Sequence, residues 1–172
     1  MSSILVTYAT KYGSTKEVAE RMGATLKGLG HTVDITPAAD VTDVGGYEAV
    51  VVGSPLYIGK ILKDASAFFE QHQAALEAKP VAFFFMGPTK AEDDLDAARV
   101  QIPPVLERIG WLTPVATEMF VGKYDPATLH GLDKLMTKPK ASPLHGVSAR
   151  DDRDWNAIEA WAASLPAVLL SA

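Results

Sequence analysis

Two apolar periods alternate along the chain. Ile4–Tyr8 is a short run rich in β-branched residues that ends in a polar turn, Ala9–Ser14. Beyond it Val18, Met22, Leu26 and Leu29 recur at helical spacing, and Gly28 and Gly30 stop that helix. His31–Thr36 alternates as a half-buried strand does and closes at Pro37. Glu48–Val52 is continuously apolar after its first residue, and Gly53–Pro55 is expected to break it. Helical periodicity returns over Leu62–Leu76, through Leu62, Ala65, Phe68 or Phe69, and Leu76. Pro80–Met86 predicts a fourth strand ending at Gly87–Pro88. Glu92–Asp96 opens a further helix that Pro103 and Pro104 must kink or divide, because proline lacks the amide donor. Pro114–Val121 predicts a fifth strand, and Trp155, Ile158, Trp161, Ala162 and Leu165 mark a last helix.

Strands 1, 3 and 4 are apolar on both faces, as strands covered on both sides of a parallel sheet must be. Right-handed crossovers leave few arrangements. The expectation is an α/β domain spanning residues 1–172: a doubly wound, five-stranded parallel sheet in the order 2-1-3-4-5, with helices on both faces. One segment breaks the pattern. Lys123–Arg150 carries five cations against Asp125 and Asp133, an excess of three, which leaves −8 for the rest of a chain whose total is −5. A loop this long in a compact domain is functional or mobile. Within it, Leu132–Thr137 reads as a helical turn.

Composition narrows the function. The 172 residues are 48% hydrophobic and 22% charged, enough for one packed core. Cysteine is absent, which excludes thiol catalysis, disulfides and cysteine-ligated metals. The net charge of −5 argues against nucleic acid as a partner. Val81–Met86 and Ala162–Leu170, the longest apolar runs, are too short to span a bilayer. The first strand begins with no basic leader before it, so a cytoplasmic location is expected. His31, His72, His130 and His145 lack ligand spacing, and no metal site is expected.

In a sheet of this order the crevice lies beyond the carboxyl ends of strands 1 and 3, where the winding reverses. The first loop there reads Thr10-Lys11-Tyr12-Gly13-Ser14-Thr15 and runs straight into a helix. Amides at a helix start are unpaired and attract a phosphate. Thr10, Ser14 and Thr15 would add hydroxyl donors, and Gly13 would let the turn close. Ser14 followed by Glu17 also fits a capping box, which needs no ligand. The second loop is Gly53-Ser54-Pro55-Leu56-Tyr57-Ile58-Gly59. Its small residues let backbone approach a planar group and Tyr57 offers a stacking face; equally, it suits an ordinary strand-to-helix connection. Neither G-x-G-x-x-G nor a G-x-x-x-x-G-K-[ST] phosphate loop is present. Aspartates that a phosphorylated receiver needs at the ends of strands 1 and 3 are replaced by Tyr8 and Ser54.

Together these segments resemble the flavodoxin family. Tyr8-Ala9-Thr10-Lys11-Tyr12-Gly13-Ser14-Thr15 is similar to its T-x-T-G-x-T loop for the FMN phosphate, and Gly53–Gly59 to the segment that holds one side of the isoalloxazine ring. The likeness covers nearly the whole chain and leans toward the branch of menaquinone-dependent protoporphyrinogen oxidase, through A-T-x-x-G-x-T, the I-G ending of the second loop and a long segment before the last helix. Phe120–Tyr124, Leu132–Met136 and Asp154-Trp155 echo that branch. The resemblance implies part of the strand order given above, and it implies FMN as cofactor. Thr10, Lys11, Tyr12, Gly13, Ser14, Thr15, Ser54, Pro55, Leu56, Tyr57, Ile58 and Gly59 would surround it, with Met86, Gly87, Pro88 and Thr89 closing the other side of the ring. No paired carboxylate or Ser–His–Asp set appears, so no catalytic residue is assigned. Two functions follow: an FMN-dependent oxidoreductase with a quinone or porphyrinogen partner, or an electron carrier that docks redox proteins on its acidic Glu92–Asp96 edge. Leu129, Leu132, Leu135 and Met136, set among lysines, either pack against the last helix or touch a membrane surface.

Overall fold

The computed structural model describes residues 1–87 and 95–171. Strands β1 (Ser3–Tyr8), β2 (Thr32–Pro37), β3 (Ala49–Pro55), β4 (Val81–Met86) and β5 (Ala116–Phe120) form one parallel sheet in the order β2-β1-β3-β4-β5. This is the expected winding. Helices α1 (Ser14–Gly28) and α6 (Trp155–Leu169) cover one face; α2 (Lys63–Leu76) and α4 (Ile102–Ile109) cover the other. Alternate residues of the central strands feed the two cores. Ile4, Val6, Val51 and Phe84 meet Val18, Met22, Ile158 and Leu165 on the first face. Leu5, Val50, Val52, Phe83 and Phe85 meet Phe68, Phe69, Ile102 and Val105 on the second.

The expected break at Gly53–Pro55 does not occur, because β3 has a partner on each side. Gly53 pairs with Tyr8 and Phe84, Ser54 with Phe85, and Pro55 with Met86. A strand held on both edges tolerates one proline at its last position, where few ladder bonds remain. Gly53 serves packing rather than a turn: a Cβ there would lie 2.0 Å from Cζ of Phe84. Gly53→Ala is therefore expected to destabilise the protein by about 2 kcal/mol, read as a lower urea midpoint at unchanged slope.

The proline pair divides the helix instead of bending it. A short α3 (Leu95–Arg99) ends first, and Pro103 and Pro104 enter the opening turn of α4, where a missing amide costs nothing. The expected helix start at Glu92–Asp94 lies outside the described residues. The 123–150 segment is more organised than a loop. Its base is a two-stranded antiparallel ribbon, β6 (Lys123–Tyr124) with β7 (Arg150–Asp151), and the helical turn expected at Leu132–Thr137 forms inside it as α5 (Gly131–Met136). No helix among the described residues is long and apolar enough to cross a membrane.

Candidate functional site

β1 and β3 lie side by side, and their following loops open the crevice. The Ala9 amide donates to the Gly53 carbonyl at 2.9 Å, the last bond before the loops diverge. Gly13 adopts φ 90°, a left-handed conformation that a side chain resists, and open space surrounds the place its Cβ would take. Its amide donates to Thr10 Oγ1 at 2.9 Å, which pins the turn. α1 then starts with no side-chain cap, and its first internal bond runs from the Glu17 amide to the Gly13 carbonyl at 3.1 Å. The capping box does not form. Glu17 turns instead to Arg153 at 2.6 Å and to Lys123 at 3.6 Å. The opening amides of α1 are thus left for something other than a side chain.

The second loop is a tight hairpin. Tyr57 and Lys60 exchange backbone hydrogen bonds of 2.9 and 3.0 Å, with Ile58 and Gly59 at its tip in left-handed conformations, φ 51° and 67°. A β-branched residue is strained at such a position, and Ile58 is 99% exposed. Arg108 Nη1 donates to the Gly59 carbonyl at 2.6 Å and holds the tip from the α4 side. Ser54 is buried; its hydroxyl donates to the Pro55 carbonyl and accepts from the Leu62 amide, both at 3.0 Å. The Leu56 amide donates to Met86 at 3.0 Å. Tyr57 stays half exposed rather than packing away, with Lys11 Nζ 5.9 Å from its ring centre. Desolvation raises the Tyr57 phenol above its ordinary range. Met86 is buried, and the Gly87 amide donates to the Phe120 carbonyl at 2.8 Å. Pro88 and Thr89 lie outside the described residues.

Several contributors have no local signature in the sequence. Asp133 of α5 reaches across to the first loop, accepting from the Tyr12 hydroxyl and pairing with Lys11. The Lys11 and Tyr12 bonds hold its carboxyl below the usual range, while burial and the Asp133 bond push the Tyr12 phenol up to about 12. His130 stacks at a tilt on Tyr12, ring centres 5.4 Å apart. Arg153, its side chain only 2% exposed, grips both oxygens of Asp151 at 2.7 and 2.6 Å. The same guanidinium donates to the Ser14 carbonyl at 3.2 Å and lies 4.6 Å from the Trp155 ring. The one sequence hint was a single arginine inside the acidic run Asp151–Asp154. At the same edge, the buried Tyr124 hydroxyl finds no partner among the described residues.

A family model described as a flavodoxin domain matches residues 5–143. The chain belongs to that family. Flavodoxins are also among the similar solved structures: the Streptococcus pneumonia TIGR4 flavodoxin superposes with a TM-score of 0.58 at 17% identity, covering 96% of this chain and 99% of that one. A cysteine variant of a Pseudomonas aeruginosa flavodoxin gives 0.59 at 15% identity, covering 98% and 99%. Such identities speak for the fold alone. Among curated proteins, the NAD(P)H dehydrogenase (quinone) of Cupriavidus metallidurans is 30% identical, over 41% of this chain and 47% of its own. Its namesake from Paraburkholderia phymatum is 29% identical over the same shares. The chain spans about half the length of the curated relatives it matches. They are named for quinones, not for protoporphyrinogen.

Proposed function

We propose that this flavodoxin-domain protein binds FMN in the crevice between the Thr10–Thr15 and Ser54–Gly59 loops and works as a quinone-linked oxidoreductase. The uncapped start of α1 behind Gly13 carries the reading. Its free amides, with the Ser14 and Thr15 hydroxyls and the Lys11 ammonium nearby, suit a phosphate monoester, and Tyr57 suits the face of a flat ring. When bound, the flavin would supply the one- and two-electron chemistry. The chain's own part is to orient it and limit access, since no acid–base pair is arranged there among the described residues. The quinone assignment rests on the names of the relatives; the porphyrinogen branch of the resemblance has no such support.

The competing reading is a carrier that exchanges electrons with protein partners only. The acidic edge it would use, Glu92–Asp94, lies outside the described residues, and Asp96 is taken up by Arg99. The deciding experiments are an absorption spectrum of the purified protein after FMN loading and gel filtration, then turnover with NADH or NADPH and a quinone. Retained flavin bands with quinone turnover support the proposal. Retained flavin reduced by a flavodoxin reductase, without quinone turnover, supports the carrier. A colourless protein overturns both.

Asp133 gives a sharper test of the phosphate end. Its carboxylate occupies Lys11, the cation nearest the loop, so an arriving phosphate must share or break that pair. Removing the charge with Asp133→Asn is expected to tighten FMN binding by about two- to fivefold at low salt, the scale of a partly exposed ion pair. Quenching of flavin fluorescence measures it.

A further inference from the structure

Of the two roles open to Leu129, Leu132, Leu135 and Met136, packing against the last helix is not the one the three residues of α5 take. From Asp125 to Asp152 no residue is buried. Leu132 is 70% exposed, Leu135 and Met136 55% each. α5 is held by a polar tether, Asp133 on Lys11 and Tyr12, instead of an apolar face. Between and after these aliphatics stand Lys134, Lys138 and Lys140, all exposed and none meeting a carboxylate among the described residues. The surface continues across Lys11 to Tyr57 and to Ile58, the strained and fully exposed tip of the neighbouring hairpin.

We propose that this surface, α5 with its lysines and the Ile58 tip, seats the protein on a lipid bilayer carrying anionic headgroups. Aliphatic side chains interleaved with ammonium groups are costly to leave in water and are matched by an interface where acyl chains lie just below phosphates. The charge layout orients the molecule. The 123–150 segment holds an excess of three positive charges while the rest of the chain holds −8, so an anionic plane attracts this edge and repels the others. Exposure favours a membrane over an acidic protein partner: Leu132, Leu135 and Ile58 stand out into solvent, which suits insertion into a soft interface. Because the contact involves six lysine and aliphatic side chains of a short helix and its tail, binding is expected to be reversible and salt-sensitive. An acceptor dissolved in the lipid would then meet the crevice mouth directly. The docking itself needs no flavin, so its test stands apart from that of the cofactor.

The test is flotation with vesicles of phosphatidylcholine containing about one third phosphatidylglycerol, against pure phosphatidylcholine, at about 50 mM and about 500 mM salt. The wild type is expected to float with the anionic vesicles at low salt, to leave them at high salt, and to ignore the neutral ones. The triple variant Lys134→Gln, Lys138→Gln, Lys140→Gln should partition on the order of a hundredfold more weakly, about fivefold per lysine. Leu132→Ser with Leu135→Ser should lose about tenfold. Lys27→Gln, at the opposite end of α1, should bind as the wild type does; thermal melts confirm that each variant is folded. The proposal is overturned if the wild type stays unbound on anionic vesicles, if the triple variant floats equally well, or if Lys134 cross-links to an acidic protein while vesicles are ignored.

Discussion

Gly13→Val is expected to weaken FMN binding by about thirty- to a hundredfold while leaving the fold intact. The turn places Gly13 at φ 90°, with nothing within 4 Å of a Cβ, so the variant meets no clash in the folded protein. The cost is conformational. A β-branched residue in a left-handed conformation is strained by about 2 kcal/mol or more, and the loop relieves it by rotating away. That rotation moves the Gly13 amide off Thr10 Oγ1 and turns the opening amides of α1 out of line. Affinity falls because the anion site is made of backbone, and at tenfold per 1.4 kcal/mol the strain converts to the stated range. Gly13→Asn provides the internal control. Asparagine tolerates positive φ better than valine, so it should lose only a few-fold. Circular dichroism and flavin titration of both variants separate the outcomes; equal and unchanged affinity would remove the phosphate loop from the proposal.

How much of this was legible in the sequence depends on where each contact lies along the chain. β1, β3 and β4 could be read because both their faces are buried, which leaves an uninterrupted apolar run that no surface element shows. The two loops could be read because glycine, hydroxyl and tyrosine positions lie within a few residues of the strand ends. The strand order was only partly read from crossovers; the rest came through the resemblance. The end of β3 was misplaced because Gly53 and Pro55 look like breakers locally, while Phe84 and Met86 decide their state from another strand. Asp133 and Arg153 escaped for the same physical reason. Tyr12 and Asp133 are 121 residues apart, and Arg153 meets Glu17 across 136, with no periodicity to announce either pairing. Whether the leucines of α5 pack inside or face outward could not be decided from spacing, because a six-residue helix tethered through a carboxylate need not bury an apolar face.

Arg153 shows what such a long-range contact does, and Arg153→Leu is expected to lower stability by about 2–3 kcal/mol, or about 5–10 °C in Tm for a chain of this size. The guanidinium joins the base of the 123–150 segment to the first turn of α1: two bonds to Asp151, one to Glu17 and one to the Ser14 carbonyl. Leucine fills space against Trp155 but gives up the cation–π contact and every guanidinium bond, leaving Asp151 Oδ1 with only the residue's own backbone amide at 3.3 Å. The carboxylates are partly exposed, 38% for Asp151 and 45% for Glu17, so water recovers some of the loss and the cost stays below that of a fully buried pair. Arg153→Lys should recover less than half, since one ammonium cannot span both oxygens of Asp151 while also reaching Glu17. The pH dependence carries a definite sign. The Arg153 hydrogen bonds hold the Asp151 carboxyl below its ordinary 3.8, so this pairing stabilises the protein fully above that value and is lost as pH falls through the lower folded value. The urea midpoints of wild type and Arg153→Leu should therefore differ most near neutrality and converge in acid below 3.8. A gap that persists undiminished there would assign the role of Arg153 to its cation–π contact with Trp155 and its bond to the Ser14 carbonyl rather than to the pairing with Asp151. The same variant should loosen FMN several-fold at neutral pH, because the turn that presents the α1 amides is the one Arg153 anchors.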